Sequence, residues 1–176
     1  TGQKCDDTFA TCGTGTQLDQ ILYTQKDATF YGAEFQVEYD VARVWNGVWG
    51  VEGQYDFVHA TFADNTNVPK ITPHRLGGGL YYRDTLWSAR VALLHAFDQH
   101  RIAPFETPTA GYNLLNAELT RTFDLGSSSG FATKFVVGIK GENLLDDDVR
   151  NHVSYKKDEV LQPGRNIRLF GNVKLN

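Results

Sequence analysis

A period of two runs through this chain, and it constrains the fold more than any other feature. In residues 31–41 the odd positions are Tyr31, Ala33, Phe35, Val37, Tyr39 and Val41; the even ones are Gly32, Glu34, Gln36, Glu38 and Asp40. Successive strand residues point to opposite faces, so this stretch is a strand with one apolar and one polar face, lying between two different surroundings. Residues 48–62 repeat it, with Trp49, Val51, Gly53, Tyr55 and Phe57 opposite Glu52, Gln54 and Asp56. A third strand at 75–83 sets Leu76, Gly78, Leu80 and Tyr82 against Arg75, Gly77, Gly79, Tyr81 and Arg83. The fourth is expected from 87 to about 100, the fifth at 112–123, the sixth at 131–143. The last ends the chain, with Ile167, Leu169, Gly171, Val173 and Leu175 opposite Asn166, Arg168, Asn172 and Lys174.

The connections alternate too. RVWNG, DT and GSSSG are short, and Asn46-Gly47 in the first predicts a tight hairpin; DNTNVPKITP, PFETPTAG and the stretch after Leu145 are long. Every long loop therefore falls at one end of the sheet, as in membrane barrels with short periplasmic turns and long external loops. A soluble sandwich would bring Greek-key crossovers and mixed loops at both ends. The polar face is acidic on the first two strands (Glu34, Glu38, Asp40, Glu52, Asp56). It is basic on later ones (Arg75, Arg83, Arg90, Lys134, Lys140, Arg168, Lys174), which suits a wet or plugged lumen. The expected class is all-β: a transmembrane antiparallel up-and-down β-barrel, of which residues 28–176 supply seven strands. Seven strands leave two open edges, which lipid does not tolerate, so the remaining strands must come from elsewhere.

Composition alone points the wrong way. With 176 residues, 22% charged and a net charge of −4, the chain looks like an ordinary soluble domain. It has no run of 18 apolar residues and no basic-then-apolar leader, but a membrane barrel would leave neither trace. Methionine is absent, so the chain is expected to be a piece of something larger. Residues 1–27, rich in Thr, Gly, Gln and Asp, read as an external loop. Within it Cys5 and Cys12 suit a disulfide in an oxidising compartment; two thiols with no second pair or nearby histidine make a poor zinc site.

GENLLDDDVRNHVSYKKDEVLQPGRNIRLFGNVKLN resembles the carboxy-terminal end of TonB-dependent outer-membrane receptors, where an ENLLD-like turn precedes a long loop, a Pro-Gly-Arg and a closing strand. YGAEFQVEYD and FETPTAGYNLLNAELTRTF look similar to earlier barrel strands of that family. Within it, NVPKITPHRLGGGL, FETPTAGYNLLN and the RNHVSYKKD and PGRN segments look closest to the zinc-uptake branch. The resemblance implies the last seven strands of a twenty-two-stranded barrel in the bacterial outer membrane. It implies an amino-terminal plug outside this chain, uptake of a scarce nutrient driven through the TonB complex, and contact with outer-membrane lipid and lipopolysaccharide. That family usually ends in an aromatic residue, whereas this chain ends at Asn176, so one further residue is expected after it.

No catalytic constellation stands out: there is no GxSxG, HExxH or phosphate loop, and the chain is not expected to be an enzyme, to need a cofactor or to bind nucleic acid. Gly77 to Gly79 lie inside a strand, where small residues make room for a neighbour. His59 and His95 fall in the apolar phase and read as belt residues. Asp98 and His100, two apart on the polar phase, with His152 of the last long loop, are the candidate metal ligands, zinc being cargo rather than cofactor. Glu106 and His74 are candidate ligand-binding residues at the same rim. The alternatives are solvated rim residues, a siderophore or iron-chelate receptor, and a non-transporting structural or adhesive barrel.

Overall fold

A computed structural model describes residues 25–126 and 133–175. They form seven strands: β1 (Ala28–Val44), β2 (Gly47–Phe62), β3 (Arg75–Arg83), β4 (Trp87–Ala96), β5 (Tyr112–Asp124), β6 (Thr133–Glu142) and β7 (Asn166–Leu175). Each pairs antiparallel with the next in chain order, giving one up-and-down sheet without helices among the described residues. The outer strands β1 and β7 do not pair with each other, so the sheet stays open. Cys5 and Cys12, nearly all of the 1–27 loop, part of GSSSG and Asn176 lie outside the described residues.

The first strand runs three residues past the expected 31–41 at each end, and two further features differ from expectation. The fourth strand ends at Ala96 rather than near His100; beyond it Phe97 N bonds His74 O and Gln99 bridges Thr109, so pairing continues only as isolated links within the loops. The first hairpin turns on Trp45-Asn46, not Asn46-Gly47, and its pairing shifts between Asp40↔Gly50 and Ala42↔Trp49. That bulge adds one residue to β1 and leaves Val44 paired with Gly47, which makes the tip the two-residue turn Trp45-Asn46. Trp45 consequently takes the left-handed φ of 55° that a tight hairpin demands at its first central residue.

The short turns, 45–46 and 84–86, share one end of the sheet with the end of β5 and the start of β6; the loops 63–74, 97–111 and 143–165 share the other. Asp84 closes its turn by accepting backbone hydrogen bonds from Leu86 and Trp87, both 2.6 Å; the Tyr82 hydroxyl, and then these two bonds, hold its carboxyl below the usual range.

Among the described residues no second layer covers the apolar face. Phe35, Tyr39, Leu80, Val91, Ile139, Ile167 and Leu169 are all exposed, Leu169 at 79%. Aromatic residues gather at the two ends of this face. Trp49 and Trp45 pack on Tyr82 (5.3 and 6.3 Å between ring centroids) and Phe123 on Phe135 (6.5 Å) at the short-turn end. Tyr31 packs on His59 (4.8 Å), Phe57 on His74 (5.4 Å) and His95 on Phe97 (4.6 Å) at the long-loop end.

The polar face is stitched by ion pairs that step over a strand. Arg90 of β4 reaches Glu52 of β2 at 2.6 Å, crossing β3 at Gly79, where a Cβ would lie 2.7 Å from the Glu52 carboxylate and 2.6 Å from Val91 O. Arg83 of β3 reaches Glu38 and Asp40 of β1 at 2.6 and 2.8 Å, and the Tyr81 hydroxyl also donates to Asp40 while its ring covers Gly50. The Phe170 ring likewise covers Gly138, filling the polar face where the neighbouring strand lacks a side chain. The arginines of β3 and β4 thus neutralise acids of β1 and β2, while Lys140 and Arg168 pair with Glu142 of β6.

Candidate functional site

The three long loops are interlocked, and most of the burial in the structure lies among them: Ala103, Val149, Gln99, Thr109, Asn143, His152 and Lys157 are buried. Glu106 is the junction. One carboxylate oxygen accepts from Lys70 N of the 63–74 loop and the other from Ala103 N of its own loop, both at 3.0 Å. His152 of the 143–165 loop is fully enclosed, with Nε2 3.3 Å from the same carboxylate and Nδ1 2.9 Å from the Thr109 hydroxyl. Nε2 is near Glu106 but not aligned for a hydrogen bond. Fewest groups are left unpaired if the Thr109 hydroxyl donates to Nδ1 and Nε2–H turns toward Glu106. Burial, then the Lys157 ammonium, lower the His152 pKa against the opposing pull of Glu106, so the ring is neutral near pH 7.

Further ties complete the lock. Lys70 Nζ donates to Ser154 O (3.0 Å) and lies over the Tyr155 ring (4.2 Å); Lys157 Nζ donates to Thr107 O; the Thr107 hydroxyl donates to Asp158 (2.6 Å). Asn67 Nδ2 donates to Ile102 O and Gln99 Nε2 to Ile71 O, joining the first two loops directly.

The sequence-predicted residues thus fall into three groups. Glu106 and His152 meet inside the loop packing. Asp98 and His100 form a separate, open pair at 3.6 Å, exposed at 60% and 73%, with Asp98 also accepting from Gly111 N. His74 lines the same open groove as that pair but bonds to other groups: its Nδ1 is 3.2 Å from the Tyr55 hydroxyl and its Nε2 accepts from Arg101 at 2.7 Å, while burial and that guanidinium lower its pKa. Asp98, His100 and His152 therefore do not converge. Among the described residues no three His, Cys, Asp or Glu side chains approach closely enough to hold a metal ion.

Lys70, Lys157, Thr109 and Arg101, which complete these groups, carry no spacing signal in the sequence. Each acts through a loop contact between distant positions. Below the loops, on the polar face, an open cavity of about 480 Å³ is lined by Arg75, Tyr112, Asn116, Glu142, Asn151 and Asn166. Such a volume suits a small polar ligand. At the loop surface Phe105 and Tyr155 are 99% and 92% exposed. No protein-family model matches the chain.

Proposed function

We propose that this chain contributes seven consecutive strands to a bacterial outer-membrane β-barrel of the TonB-dependent receptor type, one that imports a metal ion such as zinc or a metal complex. The observation that carries the reading is a single-layer sheet whose whole apolar face is exposed between two aromatic belts. A lone sheet with one apolar face is not stable in water and must be covered. Lipid covers it without a second layer, and the two belts then mark the two membrane interfaces. Trp49 and His59 are ten positions apart on β2. At about 3.3 Å per residue and a tilt of about 40°, they span about 25 Å, the height of the apolar band in such barrels.

The open edges at β1 and β7 call for further strands, and the ion-paired polar face suits a lumen filled by water or a plug. Energy would reach the barrel from a TonB complex through parts outside this chain, and lipopolysaccharide would surround its external half. On this orientation the interlocked loops face outward and the polar cavity opens beneath them. Asp98 and His100 are the exposed donors for an incoming cation; His152 and Glu106 hold the loops.

Isothermal titration of zinc into the full-length protein tests this division. D98A/H100A should weaken binding at least tenfold, and H152A should leave affinity within about threefold while loosening the loops. Unchanged zinc binding in D98A/H100A would remove the metal-ion reading. A second cargo, an iron chelate, is favoured by Phe105 and Tyr155, whose exposed rings suit a flat ligand. Growth rescue by iron chelates but not by zinc would select it.

A further inference from the structure

The geometry points to Arg101 as the binding site for the phosphate of an outer-leaflet glycolipid, whose acyl chains lie along the adjoining aromatic belt. This rests on the outer-membrane reading given above. Arg101 belongs to the 97–111 loop, but its guanidinium is drawn to the long-loop end of the apolar face. Nη1 donates to His59 Nδ1 at 3.0 Å and Nη2 to His74 Nε2 at 2.7 Å. A guanidinium only donates, so both nitrogens it meets are bare and both imidazoles are neutral in this arrangement. His74 then carries its proton on Nδ1, turned to the Tyr55 hydroxyl.

Two imidazoles that orient a cation do not neutralise it. Among the described residues Arg101 has no carboxylate within ion-pair distance, unlike Arg75, Arg83, Arg90 and Arg168, which each have at least one. Asp56, which acts on His74, pairs with Arg75, and Asp98, which lines the same groove as Arg101, accepts from Gly111 N and not from the guanidinium. Three of the five guanidinium N–H groups remain without a protein acceptor among those residues, a fork that matches the oxygens of a phosphate.

Arg121 provides the contrast. It too lies on the apolar phase without a carboxylate, but at the short-turn end its guanidinium is placed over Trp87 and Phe123 at 5.0 and 4.8 Å. Aromatic faces satisfy that cation; lone pairs hold Arg101 with its free edge outward. An open groove of about 310 Å³ runs beside it, lined by Tyr55, His74, Phe97, Asp98, His100 and Arg101 itself. The apolar surface continues from the groove through exposed Phe97 and Tyr31. A free phosphate would leave that surface bare, whereas a phosphorylated glycolipid fills both parts.

The test uses the full-length protein in phosphatidylcholine nanodiscs, titrated with bis-phosphorylated lipid A and with its dephosphorylated form. Wild type should bind the phosphorylated form at least about tenfold more tightly, as expected for one or two charge-assisted hydrogen bonds. R101A and R101Q should lose that preference, R101K should keep part of it, and millimolar inorganic phosphate should not displace the lipid. Equal preference in R101A and wild type overturns the proposal, as does displacement by inorganic phosphate. A wild-type protein that enters nanodiscs yet shows no preference defeats this site alone; failure to enter any bilayer defeats the barrel reading as well.

Discussion

Gly78 and Gly79 are neighbours in one strand, yet the sheet treats them differently. A Cβ at Gly79 would collide with Val91 O and with the Glu52 carboxylate on its way to Arg90; at Gly78 the nearest atom would be Glu52 O at 3.5 Å, an ordinary contact. G79A should therefore cost about 1–3 kcal/mol through backbone displacement and a broken ion pair, while G78A should be close to neutral. Urea unfolding of detergent-solubilised protein checks both, and equal effects would show that Glu52 does not cross β3 at Gly79. His152 gives the second prediction at this scale. Its pKa is lowered in the folded loops by burial and by Lys157, with Lys70 acting the same way and Glu106 and Asp158 opposing. The open state therefore binds more protons, and loop stability must fall as pH drops below the ordinary value of about 6.5. Hydrogen exchange of the 97–111 and 143–165 amides, corrected for intrinsic rates, should speed up between pH 7.5 and 5.5. In H152Q that acceleration should disappear.

Strands and loops were unequally legible. The period of two located every strand, since each face keeps one kind of residue, and the third strand begins and ends at Arg75 and Arg83 as the sequence indicates. The ends that moved did so for non-local reasons. The bulge after Asp40 sets a two-residue tip at Trp45-Asn46 without any Gly or Pro to announce it, and β4 stops at Ala96 because its continuation becomes loop packing. The pairing of Glu106 with His152 joins positions in different loops, so nothing in local pattern could separate them from Asp98 and His100. The loops also behave as one element: a single carboxylate holds backbone N–H groups of Lys70 and Ala103 and faces His152. E106A should leave these groups unsatisfied at a cost of about 2–3 kcal/mol. Limited proteolysis should then cut all three loops together; cleavage confined to 97–111 would show that they are independent.

For the molecule as a whole, the unanswered surface is the apolar face. It spans all seven strands, has no protein cover among the described residues and ends in aromatic belts at both sides, while the opposite face balances its own charges. Both features follow from one assignment, lipid against the odd positions of β4 and water or plug against the even ones. Spin labels placed singly at positions 89 to 94 of β4, in the full-length protein reconstituted in bilayers with Cys5 and Cys12 replaced by serine, test that assignment most directly. Labels at 89, 91 and 93 should collide with oxygen dissolved in the membrane, and labels at 90, 92 and 94 with a water-soluble nickel chelate or with neither reagent. Equal access of the nickel chelate to both sets would contradict the membrane barrel.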